Sequence, residues 1–294
     1  MKSFIKLITV MAAVSVPVYG EVTSGSSSAE DISGTATVTG TLLGNNLGIL
    51  SVLVTPINSA EGTAPNPYNL TPSLLNTKSS GTGIVTLGLG VAVDSLNAKS
   101  DVDALEGNRS ASASSGITSA SANLDLSLGG ILGAVNLFTI GLTSGNDVIT
   151  SNSGVLSDGF NASPSAGSNL ISSLSQVTVS VLGVNVIIPS LLPGVTAPVG
   201  INVNVGLLTV TGTISLTADD LDTVTGAGIG FANGTSLSVV SNLSLNATGG
   251  LAAINVTSNV DINKTTAQLT AVPEPGYTVT LSLALGSLLL RRRR

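Results

Sequence analysis

The sequence predicts an all-β protein, either an antiparallel β-sandwich or a pair of stacked sheets with long hairpins. Apolar residues alternate with polar ones along many segments, and none keeps a helical period for more than about two turns. Hydrophobic residues make up 43% of the chain and charged residues only 9%, a composition that can fill a core. A β-solenoid is the alternative, although no fixed repeat supports it. The fragment Val-Thr-Gly-Thr occurs at 38–41 and 210–213, and we attribute this match to chance in so Thr-rich a chain.

Two strands joined by a short turn are predicted near the start of the body. Residues 21–34 are rich in Ser and Gly and are predicted to form a flexible leader. Strands follow at 35–43 and 47–55, around the sequence Gly-Asn-Asn at 44–46. Residues 56–72 contain four prolines, so we interpret them as a long loop or linker.

A long antiparallel hairpin is predicted in the middle of the chain. Alternation with period two begins at 85–93 and returns along 108–128, and the polar residues around 101–109 form the tip between them. A further strand is predicted at 135–142. The stretch 145–167 holds many turn-forming residues and is interpreted as a connection.

The apolar alternation changes parity twice in the last third of the chain. The switch beside Gly183 predicts a β-bulge, and the same switch recurs between 201–207 and 208–216. The segment 189–198, which begins and ends with proline, is a candidate break within the body.

A last hairpin is predicted around a pair of glycines. Residues 237–247 and 251–262 both alternate, and Gly249 and Gly250 lie between them. With this hairpin, residues 35–272 are interpreted as an all-β body outside the cytoplasm, either one large domain or two smaller ones divided near 189–198.

The N-terminus has the pattern of a secretory signal peptide with its signal helix. Lys2 and Lys6 give a basic start, residues 7–16 are apolar, and Pro17 ends the apolar core. Small residues before position 21 suit a signal peptidase, so cleavage is expected after Gly20.

The C-terminus carries a short apolar span between a rigid hinge and a cluster of arginines. Residues 276–290 are fifteen uncharged residues, about 22 Å as a helix. A bilayer core is about 30 Å thick, so this transmembrane helix is a weak anchor. Arginines beside a span stay on the cytoplasmic side, which places the body outside the cytoplasm. The residues that flank the span are Pro273, Glu274, Pro275, Arg291, Arg292, Arg293 and Arg294.

This tail resembles the PEP-CTERM sorting signal of Gram-negative bacteria. The resemblance covers residues 273–294 and implies an exosortase, a membrane-embedded cysteine protease that cuts near the motif. It also implies transient anchoring in the inner membrane, release to the cell surface or medium, and association with exopolysaccharide or biofilm. The body more loosely resembles choice-of-anchor surface proteins, for example at 177–189, a family that implies no chemistry.

Composition excludes several classes of function for the body. Residues 21–272 hold four basic and fifteen acidic residues, a net charge of −11, which does not attract nucleic acid. The chain has neither Cys nor His, so the usual nucleophilic triads and zinc sites cannot form. A glycosidase needs only two carboxylates, but the body has only four aromatic residues to offer a sugar. We therefore expect no enzyme, no catalytic residues and no required cofactor.

Calcium is the one ligand that the acidic residues suggest, because hard cations prefer oxygen donors. Neither acidic cluster matches the twelve-residue calcium loop. The alternative to a calcium site is an acidic turn that is only hydrated by solvent. The weak candidates are Asp101, Asp103 and Glu106, with Asn108 beside them, and Asp219, Asp220 and Asp222.

The sequence therefore predicts an exported, non-enzymatic β protein of the cell envelope or extracellular matrix. The alternatives that it leaves open are a calcium-dependent glycan-binding or adhesin module and, less favoured, a hydrolase with a carboxylate pair.

Overall fold

The structure is a computed structural model, whose described residues form sixteen strands, one short α-helix and one 3-10 turn. It describes residues 21–57, 62–63, 68–70, 76–82, 85–103, 109–128, 133–144, 147–157, 162–226 and 229–272. The predicted signal helix and the predicted C-terminal helix lie outside these residues. In chain order the elements are β1 (Glu21–Leu42), β2 (Asn45–Ile57), β3 (Gly62–Thr63), β4 (Tyr68–Leu70), β5 (Asn76–Thr82), β6 (Val85–Asp103), β7 (Arg109–Leu128), β8 (Gly133–Ser144), β9 (Ile149–Ser157), β10 (Ala162–Ser168), α1 (Leu170–Ser173), β11 (Leu174–Val181), β12 (Val184–Val186), β13 (Thr196–Val205), β14 (Leu208–Gly226), β15 (Ile229–Ala247) and β16 (Ala252–Val272).

Two antiparallel sheets pack against each other, as the all-β prediction requires. Sheet A has the order β13-β14-β15-β16-β1-β2, with β3 beside β1. Sheet B has the order β10-β9-β7-β8-β11-β12, with β6 beside β7 and with β4 and β5 beside β6. Because every ladder between these strands is antiparallel, the solenoid alternative is wrong for the described residues.

The predicted hairpins are confirmed, and their strands are long. The turn between β1 and β2 lies at Leu43 and Gly44, β6 pairs with β7 over its whole length, and β15 pairs with β16 across the two glycines. β16 has 21 residues, which at about 3.3 Å per residue is roughly 70 Å. The described part is therefore an elongated sandwich.

The flexible leader predicted at 21–34 is wrong, because these residues form the first half of β1. Ser27, Ala29 and Ile32 face the interior and are almost fully buried. Their inward side chains are mostly small or polar, so the sequence showed no apolar alternation. The strand is held on one side by twenty paired positions with β16.

The connection predicted at 145–167 is also wrong, because it contains β9 and β10. Along β9 the burial alternates strictly, and Ile149 and Val155 are fully buried. The inward positions between them are Ser151 and Ser153, which are buried through hydrogen bonds. Because two inward positions are serine, the apolar alternation that predicts a strand is missing from the sequence here.

Both predicted β-bulges are two-residue hairpin turns instead. Val181 pairs with Val184 across Leu182 and Gly183, and Val205 pairs with Leu208 across a second turn. Paired residues on antiparallel strands point to the same side of a sheet. Since i and i+3 pair across such a turn, the inward parity switches there without any bulge.

One hydrophobic core joins the two sheets. Phe138 is among the largest fully buried side chains and lies in the same cluster as Ile32 of sheet A. The segment 189–198, predicted as a break, leads from β12 at the edge of sheet B to β13 at the edge of sheet A. Of the predicted loop 56–72, the described parts are the end of β2 and the short strands β3 and β4.

Candidate functional site

Asp219, one of the calcium candidates, is used to cap a helix. It is only 6% exposed, and its carboxylate accepts hydrogen bonds from the backbone N–H groups of Leu170 (2.9 Å) and Ile171 (3.1 Å). These donors begin α1 and have no partner inside the helix. Each carboxylate oxygen therefore accepts a hydrogen bond from the backbone of α1.

Asp220 and Asp222 do not complete a calcium site with Asp219. Both are exposed on β14 and stand opposite Thr235 and Asn233 of β15. No group of three acidic side chains that could hold a metal ion is present in the part of the chain that the structure describes.

The other acidic cluster is described only in its backbone. Asp101 and Asp103 lie on β6, opposite Ser112 and Ser110 of β7. Glu106 and Asn108, as well as the side chains of these two aspartates, lie outside the described residues.

A buried polar row crosses sheet A, and sequence reasoning missed it. Asp219, Ser236, Asn263 and Asp31 stand opposite one another on β14, β15, β16 and β1, and the pairing resumes in the same register on both sides of them. All four are at most 6% exposed. Asp219 and Asn263 have positive φ angles of 46° and 58°, a conformation that Asp and Asn tolerate better than most residues. We call these four residues the polar row.

The inward parity of all four strands switches at the polar row. Each member has a buried apolar neighbour in sequence, so two consecutive residues face inward; these neighbours are Ala218, Leu237, Ile262 and Ile32. Because the strands switch together, no strand gains a residue relative to its partner. The register is thereby preserved.

The polar row is hydrogen-bonded to sheet B. Ser115 donates to Asp31 Oδ1 at 2.5 Å, and Asn263 Nδ2 donates to the backbone oxygen of Ile149 at 3.2 Å and to Ser236 Oγ at 2.9 Å. Ser236 also bonds Ser168 at the end of β10. Buried polar groups that find partners in this way fix how two layers align.

A second set of hydroxyl groups continues these contacts between the sheets. Thr265 Oγ1 lies 2.9 Å from Ser151 Oγ and 2.8 Å from Ser153 Oγ, and Ser151 donates to the backbone oxygen of Gly234. On one side of this polar zone the core has large apolar residues. On the other side it is built from small ones such as Ala111 and Ala232.

A shallow groove lies along β7, β9 and β10 of sheet B. Its volume is about 500 Å³, within the range of small-molecule sites. Its lining is uncharged and small: Ser112, Ala113, Ser114, Asn152, Ser153, Gly154, Ser165, Ala166 and Gly167. Such a lining offers hydrogen bonds but neither a charge nor an aromatic platform.

Between the polar row and the hairpin turns, the four central strands of sheet A carry a regular array of hydroxyl and amide groups on their outer side. Within 33–41 of β1 and 209–217 of β14 all ten outward positions are Ser or Thr, and within the paired parts of β15 and β16 between them Asn, Ser and Thr prevail. We call this surface the hydroxyl face. Its outward residues are Ser33, Thr35, Thr37, Thr39 and Thr41 on β1, Ala253, Asn255, Thr257, Asn259 and Asp261 on β16, Ser238, Val240, Asn242, Ser244 and Asn246 on β15, and Thr209, Thr211, Thr213, Ser215 and Thr217 on β14.

Charge is almost absent from the hydroxyl face. Asp261 is its one charged member, and the carboxylate is paired with Lys264 Nζ at 3.1 Å. Ser238 also donates to this carboxylate at 2.8 Å. The net charge of −11 predicted for the body is therefore carried elsewhere.

Among the described residues, no helix combines the length and the apolar character needed to cross a bilayer.

Comparison with known proteins gives no family for this chain. No family model matches it, and no curated protein matches it either. Among solved structures, the outer membrane protease OmpT from Escherichia coli shares 9% sequence identity over 85% of this chain and 96% of that chain, with a TM-score of 0.18. A likeness at that level carries no argument about this protein.

Because Asp219 is occupied, we expect the cluster at 219–222 to bind no calcium. Calorimetric titration with calcium should give no heat that depends on Asp220 and Asp222. The matched variant is the double substitution Asp220→Asn and Asp222→Asn, which leaves the cap intact. Heat that this variant abolishes would contradict the assignment, whereas heat that it leaves unchanged would come from another part of the chain.

Proposed function

We propose that the protein is an exported, non-enzymatic β protein of the cell envelope or extracellular matrix. Its finer architecture is a cleaved signal helix at 1–20, the elongated sandwich, and a short membrane helix at 276–290 that is removed on delivery. The sequence pattern at both ends supports this order, because a secretory start and a positively charged cytoplasmic end agree with each other.

The observation that carries the proposal is the shape and surface of the body. Strands of about twenty residues form one long sandwich whose interior is filled by side chains. Its hydroxyl face bears mostly neutral hydroxyl and amide groups, which stay hydrated without depending on pH. Such a body suits a spacer or matrix component that meets water and neutral polymers outside the cell.

The partners that we propose follow from the resemblance of the tail. An exosortase-like enzyme would process residues 273–294, and exopolysaccharide would surround the released body. The short span supports transient anchoring, since about fifteen apolar residues hold a bilayer less firmly than the usual ~20.

Intact-mass analysis tests the sorting step. In the native host, mature chains should lack residues 1–20 and the arginine cluster, and they should be found in the matrix fraction. The variant Glu274→Ala should retain the arginines and stay in the inner membrane, while Asp220→Ala, an exposed change in the body, should be processed normally. Mature wild-type chains that keep Arg294 in the inner membrane would refute the proposal.

A further inference from the structure

The hydroxyl face is more regular than folding alone demands. An outward position on a two-layer sandwich needs only to be polar, and Lys, Glu, Gln or Asp would serve. Instead, every outward position within 33–41 of β1 and within 209–217 of β14 carries Ser or Thr. Neighbouring strands place Thr37, Thr257, Asn242 and Thr213 in one transverse line. The face is thus a two-dimensional lattice of short neutral side chains.

Many of these groups are free to bind something else. Within the described part of the chain, Thr35, Thr37, Thr39 and Thr41 make no side-chain hydrogen bond to protein, and each is at least partly exposed. A threonine hydroxyl offers one donor and two acceptor positions. The unpaired hydroxyl groups therefore suit a ligand that can both donate and accept hydrogen bonds opposite each of them.

The sheet fixes the spacing and the orientation of these groups. Neighbouring strands are about 4.8 Å apart, and alternate residues along a strand are about 6.6 Å apart. Threonine is β-branched and therefore restricted at χ1, so its hydroxyl and methyl groups keep a constant direction. The twist of the sheet rotates successive strands, which limits a match with a flat lattice to a few neighbouring strands.

The chemistry of the hydroxyl face limits which ligands it can bind. It has no aromatic platform for sugar rings, no free cation for phosphate and no cluster of carboxylates for a metal. A single hydrogen bond to a dissolved neutral molecule gains little over water, so only a rigid periodic partner can use many weak contacts at once. Solid water is neutral, periodic and both donor and acceptor at each oxygen, with spacings close to those of the sheet. We propose that the hydroxyl face binds the surface of ice, centred on β1 and β16.

This inference is tested with the purified full-length chain at temperatures just below freezing. The wild-type chain should separate the melting and freezing points of a single ice crystal, shape that crystal, and inhibit recrystallisation of fine ice. The double variant Thr37→Tyr and Thr257→Tyr should lose all three effects, because a protruding ring breaks the lattice on two adjacent strands. The single variant Thr37→Val, which keeps the branched shape, should retain part of the effect.

The matched control places the same ring on the other sheet. Ser163 is exposed on β10, and Ser163→Tyr should leave ice binding unchanged. Circular dichroism must show all variants folded. A folded wild-type chain without effect on ice overturns the inference, as does a double variant that keeps full activity. Binding to microcrystalline cellulose that the double variant loses, without any effect on ice, would assign the face to a polysaccharide instead. None of these outcomes depends on sorting by the C-terminal tail.

Discussion

Replacing Gly40 or Gly212 by alanine is expected to destabilise the protein by about 3–5 kcal/mol each. Gly40 has a φ of 142° and Gly212 a φ of 144°, a conformation that residues with a Cβ rarely adopt. A Cβ on Gly40 would lie 2.2 Å from the backbone oxygen of Ala253, and one on Gly212 would lie 2.1 Å from that of Asn242. Since both obstacles are backbone atoms within a ladder, neither can move without breaking strand pairing.

Chemical denaturation followed by circular dichroism measures the loss. The control is Gly200→Ala on β13, where the added Cβ meets nothing within 4 Å and the stability should change by less than about 0.5 kcal/mol. Gly40 and Gly212 lie on strands separated by two others, about 14 Å apart, so their effects should add. If Gly40→Ala were as stable as Gly200→Ala, the positive φ that the structure gives Gly40 would be wrong.

These two glycines also give a structural meaning to a short repeat in the sequence. They occupy the same place in the two copies of Val-Thr-Gly-Thr, at 38–41 and 210–213. The match was attributed to chance, yet each copy has an outward Thr on both sides of a glycine that approaches the next strand. A short repeat can thus mark an equivalent backbone geometry without marking a solenoid.

Strands with an apolar inward face were predictable, and strands with a polar inward face were not. The alternation of leucine and valine located β6 and the hairpin of β15 and β16. β9 and the first half of β1 instead turn Ser151, Ser153 and Ser27 inward, where partners on the opposite sheet satisfy them. Those partners are distant in sequence, so a local sequence pattern could not predict that these serines are buried and hydrogen-bonded.

Parity switches were recognised, but the ones at the polar row went unnoticed. Along β16 the buried positions are even up to Ile262 and odd from Asn263 onward, and β15 switches likewise at Ser236. The apolar residues on the two sides, such as Ile254 and Leu269, carry this signal in the sequence. What could not be read from it is that the switches align across four strands, because alignment depends on register.

Removing the carboxylate of Asp219 is the second change that we expect to lower the stability of the protein strongly. Asp219→Ala leaves the N–H groups of Leu170 and Ile171 without acceptors. An unsatisfied buried donor costs about 1–3 kcal/mol. Alanine would also have to adopt the φ of 46°, which costs about 1 kcal/mol more. The two donors and the strained φ together give an expected loss of about 3–7 kcal/mol in the free energy of unfolding.

Two further variants separate the cap from the backbone strain. Asp219→Asn keeps one acceptor oxygen and tolerates positive φ, so its loss should be clearly smaller than that of Asp219→Ala. Asp220→Ala, an exposed neighbour, should stay within about 0.5 kcal/mol of wild type. Hydrogen exchange adds a local measurement, because only the loss of the cap should speed exchange at the amides of Leu170 and Ile171. If Asp219→Ala were no less stable than Asp220→Ala, the carboxylate would not hold α1 against sheet A, and the acidic cluster would again be open to a ligand.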